Sequence, residues 1–217
     1  MKEEITEKKG TLSSLWIVQR VIAVLVIVMA FFPIANPAKI CGLVSDKISL
    51  FTSAISYNSL ISDCARAFRM NWVDETTFVV TYIGAVIAVL GIVATGVGVC
   101  TSMGNNKLQR FGLKFSIIGA IAEVVGYAVC FVGYILVQDT NRVDKVAPSM
   151  PVGVFVFGGI AALILILSLV LFVKTPKALP GEKFEMESKY KLFLMFLPFA
   201  ILGFLFCYLP LYGKSEA

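Results

Sequence analysis

The sequence contains no histidine, and only 15% of its residues are charged. Histidine is the usual general base and the commonest metal ligand in proteins, so Ser-His and Cys-His catalysis are excluded within these 217 residues. The five cysteines form no Cys-x-x-Cys pair and are divided between an outer loop and the apolar segments. We therefore predict no catalytic centre, no metal site and no cofactor.

Apolar residues dominate the composition. They make up 58% of the chain, and the mean hydropathy is +0.87, which exceeds the roughly half-apolar usage of soluble domains. Five segments each hold about 20 or more mostly apolar residues, the length that a helix needs to cross a hydrocarbon core of about 30 Å. They are 15–35, 78–100, 115–137, 152–173 and 192–212. The sequence predicts an all-α, polytopic membrane protein with about five transmembrane helices.

The basic residues are distributed unevenly between the predicted loops. The amino terminus, the second loop and the fourth loop hold 12 of the 19 Lys and Arg residues, whereas the other seven share their loops with acidic residues. Since Lys and Arg stay on the cytoplasmic side during insertion, we predict a multi-pass cell-membrane protein with its amino terminus inside and its carboxyl terminus outside. The net charge of +5 then reflects orientation and anionic lipid, not nucleic acid binding.

The predicted spans divide the chain into four parts. They are a four-helix membrane domain at 1–173 with a long outer loop at 36–77, a cytoplasmic linker at 174–191, a fifth transmembrane helix at 192–213 and a tail at 214–217. Pro176, Pro180 and Gly181 end the helix before the linker.

The outer loop contains an apolar stripe with steps of four and three residues. Its members are Leu50, Ala54, Tyr57, Ile61, Cys64 and Phe68. This spacing predicts one extracytoplasmic amphipathic helix, which either covers the bundle or binds a partner. The same loop contains Cys41, and the sequence leaves open whether Cys41 and Cys64 form a disulfide or remain separate thiols.

Small residues form a stripe on each of the second and third predicted helices. The first stripe is Gly84, Ala88, Gly91, Thr95 and Gly98, and the second is Gly119, Glu123, Gly126, Cys130 and Gly133. Stripes of this kind let the backbones of two membrane helices approach closely. Membrane helices depend on such close packing, because a large apolar side chain contacts lipid as favourably as it contacts another helix. We predict tight packing between these two helices.

Glu123 is the one charged residue deep within a predicted span, about 12 Å beyond its start at Phe115. An ionised residue at that depth costs a few kcal/mol or more, so such residues face protein and often mark an ion or substrate pathway. Two interpretations stay open: Glu123 is protonated and hydrogen-bonded to a neighbour such as Thr95, or it takes part in transport. No second charge at similar depth indicates a relay.

The segment 188–213 carries a distinctive pattern. Its elements are Lys189, Tyr190 and Lys191 before the helix, Leu197-Pro198 within it, and Phe206, Tyr208, Pro210, Tyr212 and Gly213 at its end. The segment resembles the first transmembrane helix of bacterial carbohydrate ABC importer permeases, particularly polysaccharide and oligosaccharide permeases of the LplB type. The resemblance covers about an eighth of the chain. It implies a helix running from inside to outside, and as partners a second permease subunit, an ATPase subunit and a solute-binding protein.

Two functions remain open. The first is the membrane-spanning part of a carbohydrate ABC importer permease, truncated or split and not competent for transport alone, because the family pattern continues into further helices whereas this sequence ends at Ala217. The second is a non-catalytic four-helix accessory or scaffold protein that binds another membrane protein. No substrate-binding residue can be named for either function.

Overall fold

The computed structural model describes residues 2–30, 50, 54, 75–140, 152–179, 181 and 183–186. These residues form four helices and no strand: α1 at Lys2–Met29, α2 at Glu75–Thr101, α3 at Asn106–Thr140 and α4 at Val152–Lys174. The prediction of an all-α protein is confirmed for this part of the chain.

Three of the four helices contain a stretch that is long and apolar enough to cross a membrane. These stretches are Val79–Thr101, Asn106–Gly133 and Gly153–Lys174, whereas the apolar part of α1, Ser13–Met29, is shorter. The fold is therefore compatible with a membrane protein. The predicted number of five spans is not established, since residues 31–35 of the first predicted span and all of 192–213 lie outside the described residues.

The outward faces of the helices carry many large apolar residues. Leu90 on α2, Ile118 on α3 and Ile166 on α4 are each more than half exposed. A helix that is apolar on every side is typical of a membrane span, because its outer face can meet hydrocarbon. These exposed residues are therefore compatible with contact between the bundle and lipid.

Helix α3 begins earlier than hydropathy indicates. We expected the helix from Phe115 and placed Lys107, Arg110 and Lys114 in the preceding loop, but all three lie on α3. The helix starts at Asn106 because the Asn105 side chain acts as its N-cap: Oδ1 accepts a hydrogen bond from Leu108 N at 3.1 Å. Only residues 102–105 separate α2 from α3.

The core lies along α3, which packs against both α2 and α4. Tyr127 of α3 stacks on Phe157 of α4, with ring centroids 5.9 Å apart. A second cluster joins Trp16, Leu113 and Leu171 near the turn between α2 and α3. Two further described residues, Leu50 and Ala54, pack against the main core.

The segment that follows α4 returns to the turn between α2 and α3. Asn105 N donates a hydrogen bond to Glu185 O at 3.0 Å, and Asn105 Nδ2 donates to Lys183 O at 2.6 Å. Gly104 and Met186 form an isolated antiparallel bridge. This part of the predicted linker is thus held against the bundle.

Candidate functional site

The structure places the two predicted stripes of small residues against each other. A methyl group added at Gly91 would lie 2.6 Å from Glu123 N and 2.7 Å from Gly119 O. One added at Gly98 would lie 2.5 Å from Ser116 N, and one added at Gly126 would lie 2.5 Å from Ala88 N. Because these neighbours are backbone atoms, α2 and α3 are in contact at positions that a side chain would occupy.

The contact extends over several turns of both helices. Gly84 faces Gly126 O and Cys130, and Gly119 faces Gly91 O and Thr95. Gly133, the last member of the stripe on α3, is also buried. Steps that alternate between three and four residues keep one face of each helix turned toward its partner, as in a left-handed coiled coil. The interface therefore has no gap wide enough for a sugar-sized ligand at these positions.

Glu123 is fully buried within this interface. The Thr95 hydroxyl of α2 donates a hydrogen bond to Glu123 Oε1 at 2.6 Å. Glu123 lies near the middle of the candidate span Asn106–Gly133, so its carboxyl is far from both ends of the helix. Thr95 is the neighbour that the sequence analysis named for it, and the two stripes bring them together.

The other carboxyl oxygen is less well satisfied. Glu123 Oε2 and the buried Ser116 Oγ have no hydrogen-bond partner among the described residues. Both side chains lie on the face of α3 that contacts α2, seven residues apart. The interface consequently holds two polar atoms without a hydrogen-bond partner among the described residues. Ser116 lies outside the predicted stripe on α3.

The chemistry available to this arrangement is narrow. Within the described residues, no group of three or more Cys, Asp and Glu side chains is close enough to hold a metal ion. The hydrogen bond to Glu123 comes from the Thr95 hydroxyl on the facing helix. The geometry fits a polar contact that joins two helices.

A second polar contact joins α1 to α4. Gln19 Nε2 donates a hydrogen bond to Ser168 Oγ at 2.8 Å, and both side chains are fully buried. Polar side chains that bond across helices stabilise membrane bundles, typically by about 0.6 to 2 kcal/mol. The amide of Gln19 within an apolar segment is the sequence feature that indicates such a contact.

Several predicted site residues lie outside the described residues. These are Cys41, Cys64, Pro198, Tyr208, Pro210, Tyr212 and Gly213. The disulfide question and the pattern at 188–213 accordingly stay predictions. Of the remaining cysteines, Cys100 and Cys130 are buried, and Cys130 Sγ lies 3.8 Å from Thr81 O.

Comparisons with known proteins add no relative. No protein family model matches the chain, and neither a curated protein nor a solved structure shows significant similarity to it.

Proposed function

We propose that this chain is the membrane-spanning part of a carbohydrate importer permease of the ABC type. In this proposal the four described helices are a non-catalytic accessory domain that precedes the permease helix at 192–213. The observation that carries the proposal is the pattern at 188–213, with basic and tyrosine residues before the helix, Leu197-Pro198 within it, and Tyr208, Pro210, Tyr212 and Gly213 at its end.

The geometry of the described helices supports an accessory role for them. A sugar pathway needs polar side chains along an open cavity, but α2 and α3 touch through their backbones at Gly91, Gly98 and Gly126. The buried polar pair of Thr95 and Glu123 lies inside that closed interface. We therefore place the transport pathway in the permease helices and not in this bundle.

One observation favours the alternative of a self-standing accessory or scaffold protein. Glu185 and Met186 pair with the turn between α2 and α3, which joins this part of the linker to the bundle as a single unit. A unit of this kind could bind another membrane protein without any contribution from 192–213. The two proposals differ in which part of the chain binds the partner.

The test is co-purification of the tagged full chain from its native membrane in a mild detergent. We expect an ATPase subunit and a second permease subunit to be identified with it by mass spectrometry. In the matched variant, a leucine-rich helix of equal length replaces 192–213, while Lys189, Tyr190 and Lys191 are kept to preserve insertion.

The variant separates the proposals. Loss of both subunits from the variant, but not from the unaltered chain, supports the permease proposal. Retention of one defined membrane protein by both chains supports the scaffold alternative. Absence of both importer subunits from the unaltered chain would overturn the permease proposal, as would downstream DNA that encodes no further permease helices.

A further inference from the structure

Three basic residues lie on one face of α3 near its amino-terminal end. Lys107, Arg110 and Lys114 are spaced by three and four residues, which places them in a row along the helix. They line a cleft of about 320 Å³ between α3, the end of α4 and the segment that follows α4. None of the described residues that line this cleft is acidic.

Aromatic rings hold the cations in place. The Arg110 guanidinium lies 4.3 Å from the ring centroid of Phe172 and donates a hydrogen bond to Thr175 O at 2.8 Å. The Lys107 ammonium lies 4.6 Å from the ring centroid of Phe184. These contacts fix the two charges at the wall of the cleft before any ligand arrives, which lowers the ordering cost of binding.

The cleft is apolar as well as cationic. Phe111 lines it and contacts Phe184, with ring centroids 5.8 Å apart. Phe111 also contacts Phe115, at 5.0 Å, and Ile118 continues the exposed apolar surface along α3. The cleft therefore adjoins the exposed apolar surface of α3.

We infer that this cleft binds an anionic phospholipid. The lipid phosphate contacts Lys107, Arg110 and Lys114, and the acyl chains follow Phe111 and Phe115 along α3. A soluble anion would contact only the basic residues of the cleft, whereas a phospholipid would contact the basic residues with its phosphate and the aromatic residues with its acyl chains. Basic pockets between membrane helices are typical sites for such headgroups.

The test is native mass spectrometry of the full chain in detergent with an equimolar mixture of dioleoyl phosphatidylglycerol and dioleoyl phosphatidylcholine. We expect selective retention of phosphatidylglycerol. Replacing two cations, Lys107→Gln with Lys114→Gln, is expected to reduce that retention on the order of tenfold. Arg110 is left unchanged because it also bonds to the chain at Thr175.

Two matched variants control for charge and folding. Lys174→Gln with Lys177→Gln removes the same charge from exposed positions outside the cleft, and should leave retention nearly unchanged. Lys107→Arg with Lys114→Arg should restore it, and a thermal unfolding curve of each lipid-free variant reports its folding.

An equal loss of phosphatidylglycerol retention in the two double Gln variants would overturn the site, since it would show that the lipid is attracted by overall charge and not by the cleft. Equal retention of both lipids by the unaltered chain would also overturn it. Displacement of phosphatidylglycerol by excess inorganic phosphate, with no effect of acyl chains, would show a phosphate site and contradict a lipid site.

Discussion

At the scale of single residues, Glu123 has the most unusual surroundings in the described helices. Its side chain is fully buried between α2 and α3, one carboxyl oxygen accepts the Thr95 hydrogen bond, and the other has no partner among the described residues. An ionised carboxyl with one hydroxyl partner in an apolar interface would be poorly compensated. A protonated Glu123 leaves one neutral polar atom without a partner, which costs less free energy than an unpaired buried charge, so we favour a structural contact over transport.

This account predicts that Glu123→Gln and Glu123→Leu behave differently. Gln keeps an acceptor for Thr95 and cannot ionise, so we expect the free energy of unfolding in detergent to be unchanged or higher. Leu leaves the Thr95 hydroxyl without its partner, and we expect a loss of about 1 to 3 kcal/mol.

Thr95→Val provides the control for this pair. Thr95→Val should lower the free energy of unfolding of the unaltered chain. It should have little effect in the Glu123→Leu variant, because the hydrogen bond between Thr95 and Glu123 is already absent there. Gln and Leu variants of equal stability would contradict the hydrogen-bonding account. A proton flux in proteoliposomes that is lost in Glu123→Gln would instead assign Glu123 to transport.

At the scale of helices, the contact between α2 and α3 organises the bundle. Six glycines of these two helices face backbone atoms of the partner helix at distances that exclude any side chain. They are Gly84, Gly91, Gly98, Gly112, Gly119 and Gly126. The same proximity permits Thr95 to reach Glu123, so the polar pair depends on the glycines for its geometry.

A pair of matched substitutions tests this dependence. Gly91→Ala places a methyl group 2.6 Å from Glu123 N, which forces the helices apart and should lower the free energy of unfolding by about 1 to 3 kcal/mol or more. Gly159→Ala places the same group where nothing lies within 4 Å. It should be neutral, or stabilise α4 by up to about 1 kcal/mol through helix propensity. Equal effects in a detergent-unfolding assay would contradict close packing of α2 against α3.

The sequence predicts the helix faces better than it predicts their ends and long-range contacts. Small residues at steps of three and four are visible as stripes, and Thr95 and Glu123 lie on them. Hydropathy does not indicate the first turns of α3, because these turns are helical but contain the charged residues Lys107 and Arg110. The hydrogen bond from Asn105 to Lys183 joins residues 78 apart through a backbone carbonyl. Because every residue has a backbone carbonyl, the sequence pattern does not indicate which one accepts the bond.

At the scale of the whole molecule, the turn between α2 and α3, the end of α4 and the segment after α4 meet at one end of the bundle. Arg110 bonds to Thr175 O, and Asn105 bonds to the backbone at Lys183 and Glu185. The opposite end of α3 is distant, because 35 helical residues at about 1.5 Å each span about 50 Å. A helix of that length is long enough to place Asn106 and Thr140 on opposite sides of a bilayer.

The length of α3 and the distribution of basic residues together predict from which side of the membrane each end of the bundle can be labelled. In a variant without native cysteines, Lys177→Cys and Thr140→Cys should react from opposite sides of the membrane. Lys and Arg are concentrated at the end that includes Lys177, so the positive-inside rule predicts that this end is cytoplasmic. A membrane-impermeant maleimide should therefore label position 140 in intact cells, and position 177 only after permeabilisation. Labelling of both positions in intact cells would contradict a membrane-spanning α3. The reverse pattern would keep the bundle but invert it, and would place the proposed lipid site in the outer leaflet, where anionic lipid is scarce in many membranes.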